Sequence, residues 1–325
     1  MKRDQALDFL RATAMVWIVC VFHLSAYSPL TMPVAASPLS GAVTKVALSV
    51  FMLMSGYLLG KKYSGERAAV FYRKRLLRIY PLFALSVITF FGYGGTSLTQ
   101  RALSLTGLSV FVPGHQMLTV WFVALILVFY LFFPIISRGS LSARIVKSAV
   151  IYAALSLYMW LVPGAETRSL WLFPCFAAGV LAGGSRRGLA DMGWGCVAIA
   201  ALVAAALYPV LAHVYGAVPF AFAASFAVIG AAEKCRSLYS SVAFNRLVSK
   251  IAYASFGAYL FHRQILMALQ MAWDVVFNRL ELTTPPPASY AFVAYIVGVG
   301  VPAVLVGGYL IQRRYDAICR SILQR

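Results

Sequence analysis

Apolar runs close to twenty residues long, parted by short polar stretches, follow one another from one end of the chain to the other. Coiled as α-helix, a run of that length crosses the hydrocarbon core of a bilayer, and the runs show no period-two alternation that would suggest a barrel. Ten spans are predicted, at residues 8–28, 42–60, 79–95, 117–137, 145–163, 169–184, 193–213, 215–232, 250–277 and 288–312. Those at 79–95, 169–184 and 215–232 are short. The longest loops on one side, residues 29–41 and 96–116, carry Pro, Gly and Ser, and residues 61–78 form the largest on the other. No polar stretch is long enough for an attached soluble domain, so residues 1–325 read as a single transmembrane domain of an all-α polytopic membrane protein. No internal repeat stands out, which argues against a transporter built from inverted halves.

Basic residues orient the spans. Lys2 and Arg3, the cluster from Lys61 to Arg78, Arg138 with Arg144 and Lys147, Arg186 with Arg187, the group from Lys234 to Lys250, and the group from Arg313 to Arg325 all fall on one side if ten spans alternate. By the positive-inside rule that side is the cytoplasm, and both termini are predicted to lie there. Composition agrees, because 62% hydrophobic and 11% charged residues would overfill the interior of a soluble domain. A net charge of +19 is also a mark of nucleic-acid binders, but cations gathered between apolar runs are accounted for by orientation. Lys2 and Arg3 before an apolar stretch imitate a signal peptide, yet Asp8, Arg11 and His23 interrupt that stretch, and an uncleaved first helix fits better.

His23 is the polar residue that this pattern makes most conspicuous. Counted from residue 8, it lies about 22 Å into a core about 30 Å thick, where an ionisable side chain faces the bundle interior or a wet cavity. Arg11 stands near the start of the same run. On an unbroken helix the two would be about 18 Å apart along the axis and about 120° apart around it, so they cannot pair. His262 sits at a comparable depth, twelve residues on from Lys250, and Arg263 beside it also needs a polar surrounding. Two histidines at one level could share a cavity. His115 and His213 fall near outer span ends and are expected to be loop residues.

The segment Ala68 to Pro81 (AAVFYRKRLLRIYP) places Arg75 and Arg78 one turn apart, a spacing suited to phosphate, although lipid headgroups would also satisfy these cations. Familiar catalytic signatures are missing: there is no HxxxxD, GxSxG, Walker loop or HExxH. The nine acidic residues leave few carboxylates for metal hydrolysis, and the five cysteines, Cys20, Cys175, Cys196, Cys235 and Cys319, show no metal-ligand spacing. No metal site is expected.

Five motifs in order then resemble the membrane acyltransferase 3 family of bacterial glycan O-acyltransferases, in its stand-alone membrane form. They are LDFLRATAMVWIVCVFH ending at His23, FMLMSGYLLG with Ser55, Gly56 and Tyr57, RLLRIYP with Arg75 and Arg78 as an RxxR pattern, VWFVALILVFYLFFP with Trp121, Tyr130 and Pro134, and FGAYLFHRQ with His262. The resemblance spans roughly residues 7–310. It implies transfer of an acyl group, commonly acetyl, from cytoplasmic acyl-coenzyme A to a hydroxyl of a cell-surface polysaccharide or a lipid-linked glycan precursor. It also implies a multi-pass protein of the bacterial inner membrane with no tightly bound cofactor. Under it His23 is the catalytic candidate, Arg75, Arg78, Arg11 and Arg73 meet the donor phosphates, and His262, Arg263, Ser55, Tyr57 and Trp121 line the substrate pocket. Partners would be the acyl-coenzyme A, the glycan acceptor and membrane lipids, with no nucleic acid.

Two departures from the family pattern matter. The family usually spaces its cation ten residues before the histidine, whereas eleven intervene between Arg11 and His23, a difference a local bulge could absorb. Many relatives carry paired glutamates where this chain has Ile126 and Leu127, so no carboxylate from there can orient His23. The competing reading is a flippase or transporter for a lipid-linked sugar, with His23, His262 and Arg263 lining a polar path.

Overall fold

A computed structural model of the chain describes residues 4–90, 96–184, 217–235, 241–279 and 289–323, and among these the regular structure is entirely helical. Helix α1 is one rod with three parts: Gln5–Met15 is α-helical, Val16–His23 is π-helical and Leu24–Tyr27 is a 3-10 turn. There follow α2 (Met32–Ala36), α3 (Pro38–Tyr63), α4 (Ala68–Ile88), α5 (Leu98–Leu105), α6 (Trp121–Ile136), α7 (Leu141–Leu161), α8 (Ser169–Gly183), α9 (Ala217–Lys234) and α10 (Val242–Arg279). The last, α11, joins Tyr290–Tyr295, a π-helical stretch Ile296–Gly300 and Val301–Leu323. The expected loops 29–41 and 96–116 thus hold short helices of their own. The predicted span at 193–213 lies outside the described residues.

Among the described residues five helices are long and apolar enough to cross a membrane: α1, α3, α7, α9 and α11. Helices α6 and α8 are apolar but shorter. Helices α4 and α10 have the length, and the polar residues that lower their hydropathy are those of interest: Arg73, Lys74, Arg75 and Arg78 in one, His262, Arg263 and Gln264 in the other.

Two compact units are formed. The first comprises residues 1–44, 81–96 and 240–325. Within it α1 and α10 run parallel, shown by three contacts in step: the Phe9 and Phe244 rings are 6.3 Å apart, Ala12 packs with Val248 and Ala252, and His23 meets His262. Val248 and His262 are fourteen residues apart, two heptads, which returns the same face of α10 to its neighbour in a left-handed pairing. Helix α11 packs antiparallel on α10. A Cβ added to Gly257 would lie 2.5 Å from the Gly308 carbonyl oxygen, and Tyr253 donates to Asp316 at 2.7 Å. Gln264 reaches the Ser86 carbonyl of α4 at 3.2 Å.

The second unit comprises residues 45–80 and 97–239. In it α3 and α8 approach closely, where two small-residue pairs at i and i+4 interlock, Gly56 with Gly60 and Gly179 with Gly183. A Cβ on Gly56 would meet the Phe176 oxygen at 2.1 Å, and one on Gly179 would meet the Leu53 oxygen at 2.2 Å. In lipid, where apolar surface gives no hydrophobic drive to helix association, this backbone proximity is what lets dispersion act. Arg144 is buried as well. Its guanidinium donates to the carbonyls of Ile136 at 3.3 Å and Val180 at 2.8 Å, near the C-terminal ends of α6 and α8. It therefore does more than mark topology, since it adds a second donor to the Val180 carbonyl, which also accepts from the Gly184 amide at 3.1 Å, and ties the ends of α6 and α8 to α7.

The interlock yields a test. Gly179→Val must separate two backbones, at a cost of about 1–3 kcal/mol or more, and a lowered thermal unfolding midpoint in detergent is expected. Gly41→Ala is the matched control, because a Cβ there meets nothing within 4 Å and should leave the midpoint unchanged.

Candidate functional site

The candidate site is built from α1 and α10 in the first unit. His23 closes the π-helical stretch of α1, and the wider π turn, with its i to i+5 hydrogen bonds, takes up extra residues compared with an α-helix. The unbroken helix assumed for the separation of Arg11 and His23 is therefore not what forms. The whole π stretch lies between them, so the 120° estimate does not apply, and the additional residue in the spacing is accommodated there. Arg11 is half-buried in the α-helical part of the same rod.

His23 Nδ1 lies 2.9 Å from His262 Nε2. The ring planes are within 5° of parallel with centroids 4.8 Å apart. Because the nitrogens are far closer than the centroids, the rings meet edge to edge, as a hydrogen bond requires, rather than face to face. His262 Nδ1 lies 2.8 Å from the carbonyl oxygen of Tyr259, one turn back on α10. That last contact fixes the polarity of the pair. A carbonyl only accepts, so His262 Nδ1 carries the proton, and neutral His262 presents a lone pair at Nε2. His23 must then donate from Nδ1, which leaves the lone pair of neutral His23 on Nε2.

Exposure agrees with this direction. His262 is completely buried while His23 is only partly so, and among the described residues His23 Nε2 makes no hydrogen bond. The Phe22 ring, 5.6 Å from His23, and the Tyr259 ring, 6.1 Å from His262, wall the pair with aromatic surface. Half-buried Arg263 follows His262 on α10. Where the sequence allowed the two histidines to share a cavity, the structure brings them into a direct hydrogen bond. The function of the Tyr259 carbonyl was not visible in the sequence, since every residue has a carbonyl.

Beside this stretch of α1, a cavity of about 220 Å³ opens between α1 and the π segment of α11, with Cys20, Leu24, Ser25, Thr31, Phe292 and Ile296 in its lining. His23 itself does not line it.

The other sequence-derived residues belong to the second unit. Arg75 lies over the Tyr63 ring, 4.5 Å from its centroid, while Arg73 and Arg78 are exposed on the same helix. Lys74, between them, pairs with Glu66 at 2.6 Å. Ser55 Oγ is 2.9 Å from Tyr130 Oη, which joins two of the quoted motifs. Tyr57 is buried, with Lys61 over its ring. Trp121 is buried under the Arg168 guanidinium, 3.6 Å above its ring, and Arg168 is in turn held by both oxygens of buried Glu166. This group lies beside Thr119, whose φ of 75° is uncommon for a β-branched residue. His115 is the expected loop residue, with Nδ1 2.7 Å from the Pro113 oxygen, and His213 lies outside the described residues. Among the described residues no cluster of His, Cys, Asp or Glu could hold a metal ion.

Comparison with known proteins places the chain. No curated protein and no solved structure matches it. A family model described as an acyltransferase domain matches residues 4–307, nearly the whole length and every helix of the candidate site. The chain belongs to the acyltransferase 3 family.

Proposed function

We propose that the protein transfers an acyl group, acetyl being the simplest, from acyl-coenzyme A to a hydroxyl of a cell-surface or lipid-linked glycan, with His23 as general base. The observation that carries this reading is the hydrogen-bond polarity running from the Tyr259 carbonyl through His262 to His23, which leaves a lone pair on the free edge of His23. His23 Nε2 takes the proton of the acceptor hydroxyl as its oxygen attacks the thioester carbon. The C–O ester bond forms, the C–S bond breaks, and coenzyme A leaves as the thiol with the proton His23 carried. Throughout, His23 Nδ1 keeps donating to His262, so the imidazolium that forms is stabilised without any tautomer change. His262 is in this scheme a positioning residue, in the place an acid holds in other triads.

The wider reading is a single transmembrane domain of about ten spans in a bacterial inner membrane, with both termini cytoplasmic. The parallel α1 and α10 support it, because two parallel crossings require an odd number between them and the proposed order has seven. Arg75, Arg78, Arg73 and Arg11 remain the cations we assign to the donor, and Ser55, Tyr57, Trp121 and Arg263 to the surroundings of the acceptor.

Purified protein in detergent should consume acyl-coenzyme A when sugar acceptor is added. His23→Ala should lower that rate by about 10²–10⁴-fold while the protein still inserts and elutes as the wild type does; full activity in this variant would overturn the mechanism. Absence of thioester loss in the wild type, together with movement of a lipid-linked sugar across a vesicle bilayer, would decide for the flippase.

His262 separates positioning from packing. In His262→Gln the amide nitrogen can donate to Tyr259 while the amide oxygen accepts from His23, so activity within about tenfold of wild type is expected by the usual value of an orienting hydrogen bond. His262→Phe keeps the ring volume but removes the acceptor, and a loss of roughly 10²-fold or more is expected, as where an orienting partner fixes a tautomer. Equal activity of the two variants would show that His262 only fills space.

A further inference from the structure

Where the starts of α6 and α8 meet in the second unit, one arginine is held in place without all its donors being used. Arg168, the residue before α8, lies with its guanidinium 3.6 Å above the Trp121 ring, and its Nε and Nη2 each donate to a Glu166 oxygen at 2.5 Å. One face and one edge are thereby fixed. A guanidinium carries five N–H donors, so two on Nη1 and one on Nη2 remain, and among the described residues Nη1 makes no hydrogen bond. Glu166 is 4% exposed and the Arg168 side chain 41%, which puts the carboxylate beneath and leaves the spare edge open. The loop is braced behind it. The Glu166 amide donates to the Val110 carbonyl at 3.1 Å, and Ser169 Oγ donates to the Glu166 carbonyl at 2.9 Å. Arg144 shows the form a purely structural arginine takes in this unit, buried and with its guanidinium on helix-end carbonyls. A latch needs no free edge.

Position and charge narrow what that edge meets. Gly56 of α3 approaches α8 at Phe176 and Gly60 approaches it at Val180 and Gly184, so these two helices run parallel and end together. Lys61, Lys62 and Arg144 gather at that end, which the positive-inside rule gives to the cytoplasm. Arg168 precedes Gly184 by sixteen residues, about 24 Å along a helix, and so stands at the opposite, outer end. A surface glycan is met on that side. Glu166 compensates the charge of Arg168 at contact distance, so the attraction of an arriving carboxylate to the one is largely offset by its repulsion from the other. Two hydroxyl oxygens on adjacent carbons of a neutral sugar lie side by side as carboxylate oxygens do, and they suit the same fork of N–H groups without that conflict. Because Arg168 already covers the Trp121 face, the sugar meets the arginine edge and not the indole ring.

We propose that the Nη1 and Nη2 edge of Arg168 binds a vicinal diol on an uncharged sugar of the acceptor glycan, with Glu166 and Trp121 as the residues that position it; this rests on the acyl-transfer reading above. The test is an array of neutral oligosaccharides and their uronate-bearing counterparts, probed with the full-length protein in fluorescent phosphatidylcholine nanodiscs. Wild type should be retained on neutral sugars at least tenfold more than on uronates. Arg168→Lys keeps the charge but not the fork, and should lower that retention tenfold or more at the unfolding midpoint of the wild type. Glu166→Gln leaves Arg168 uncompensated and should turn the preference toward uronates, a gain that fades as salt is raised; a latch would not move selectivity. If Arg168→Lys unfolds, the reversal in Glu166→Gln decides alone. Undiminished retention by a folded Arg168→Lys, unchanged selectivity in Glu166→Gln, or a wild type that no sugar retains overturns the assignment and leaves the acyl-transfer reading standing. Retention as expected, with no loss of acyl-coenzyme A when the retained sugar is supplied, overturns acyl transfer and leaves a sugar-binding site.

Discussion

Parallel pairing of α1 with α10 is the constraint from which the chemistry of the first unit follows. Helices in a bilayer gain nothing hydrophobic by touching, so a pair holds only where side chains interdigitate closely or a polar bond forms between them. Here both occur along one seam. Ala12 lets α1 lie against Val248 and Ala252, and the two-heptad interval from Val248 brings His262 round to the same face. The π-helical stretch Val16–His23 then adjusts the direction of His23 until its ring meets His262. A strictly α-helical α1 would deliver the same residues with a different phase, so the widened turn is part of the site's construction. π-Helical turns within α-helices often mark functional positions.

A histidine, and not a carboxylate, as the partner of His23 suits this surrounding. A fully buried carboxylate would carry a charge whose desolvation must be offset, whereas a neutral imidazole asks only that both its nitrogens be bonded. His262 meets that condition, with the Tyr259 carbonyl on one nitrogen and His23 on the other. Orientation comes instead from a carbonyl that is already part of α10, and a backbone acceptor cannot be lost by side-chain substitution.

Much of this was legible in the residue pattern and some of it could not be. Apolar runs marked an all-helical chain and fell on the five helices long and apolar enough to cross a membrane among the described residues, and counting along the runs put His23 and His262 at a comparable depth, because both quantities depend only on position along a helix. The bond between them depends on which helices are neighbours and at what phase, and a π turn changes phase without leaving a signature in hydropathy. The meeting of Gly56 and Gly60 with Gly179 and Gly183 is a similar case: each pair is a small-residue spacing on its own helix, yet only contact shows that they face one another. The family resemblance assigns Trp121 to the substrate pocket, and the structure covers its face with Arg168.

Cations illustrate the same limit and its remedy. The positive-inside rule weighs every Lys and Arg on a given side alike, because insertion senses charge near the membrane and not its later partners. Folding then divides them. Arg144 is consumed by helix-end carbonyls, Arg138 by the Glu66 carbonyl, Lys74 by the Glu66 carboxylate, and Arg75 is laid on Tyr63. A cation so engaged must surrender a contact before it can hold a phosphate, which subtracts from any binding it does. This difference in prior engagement, which orientation rules cannot express, separates a cation that builds the fold from one that only orients a helix.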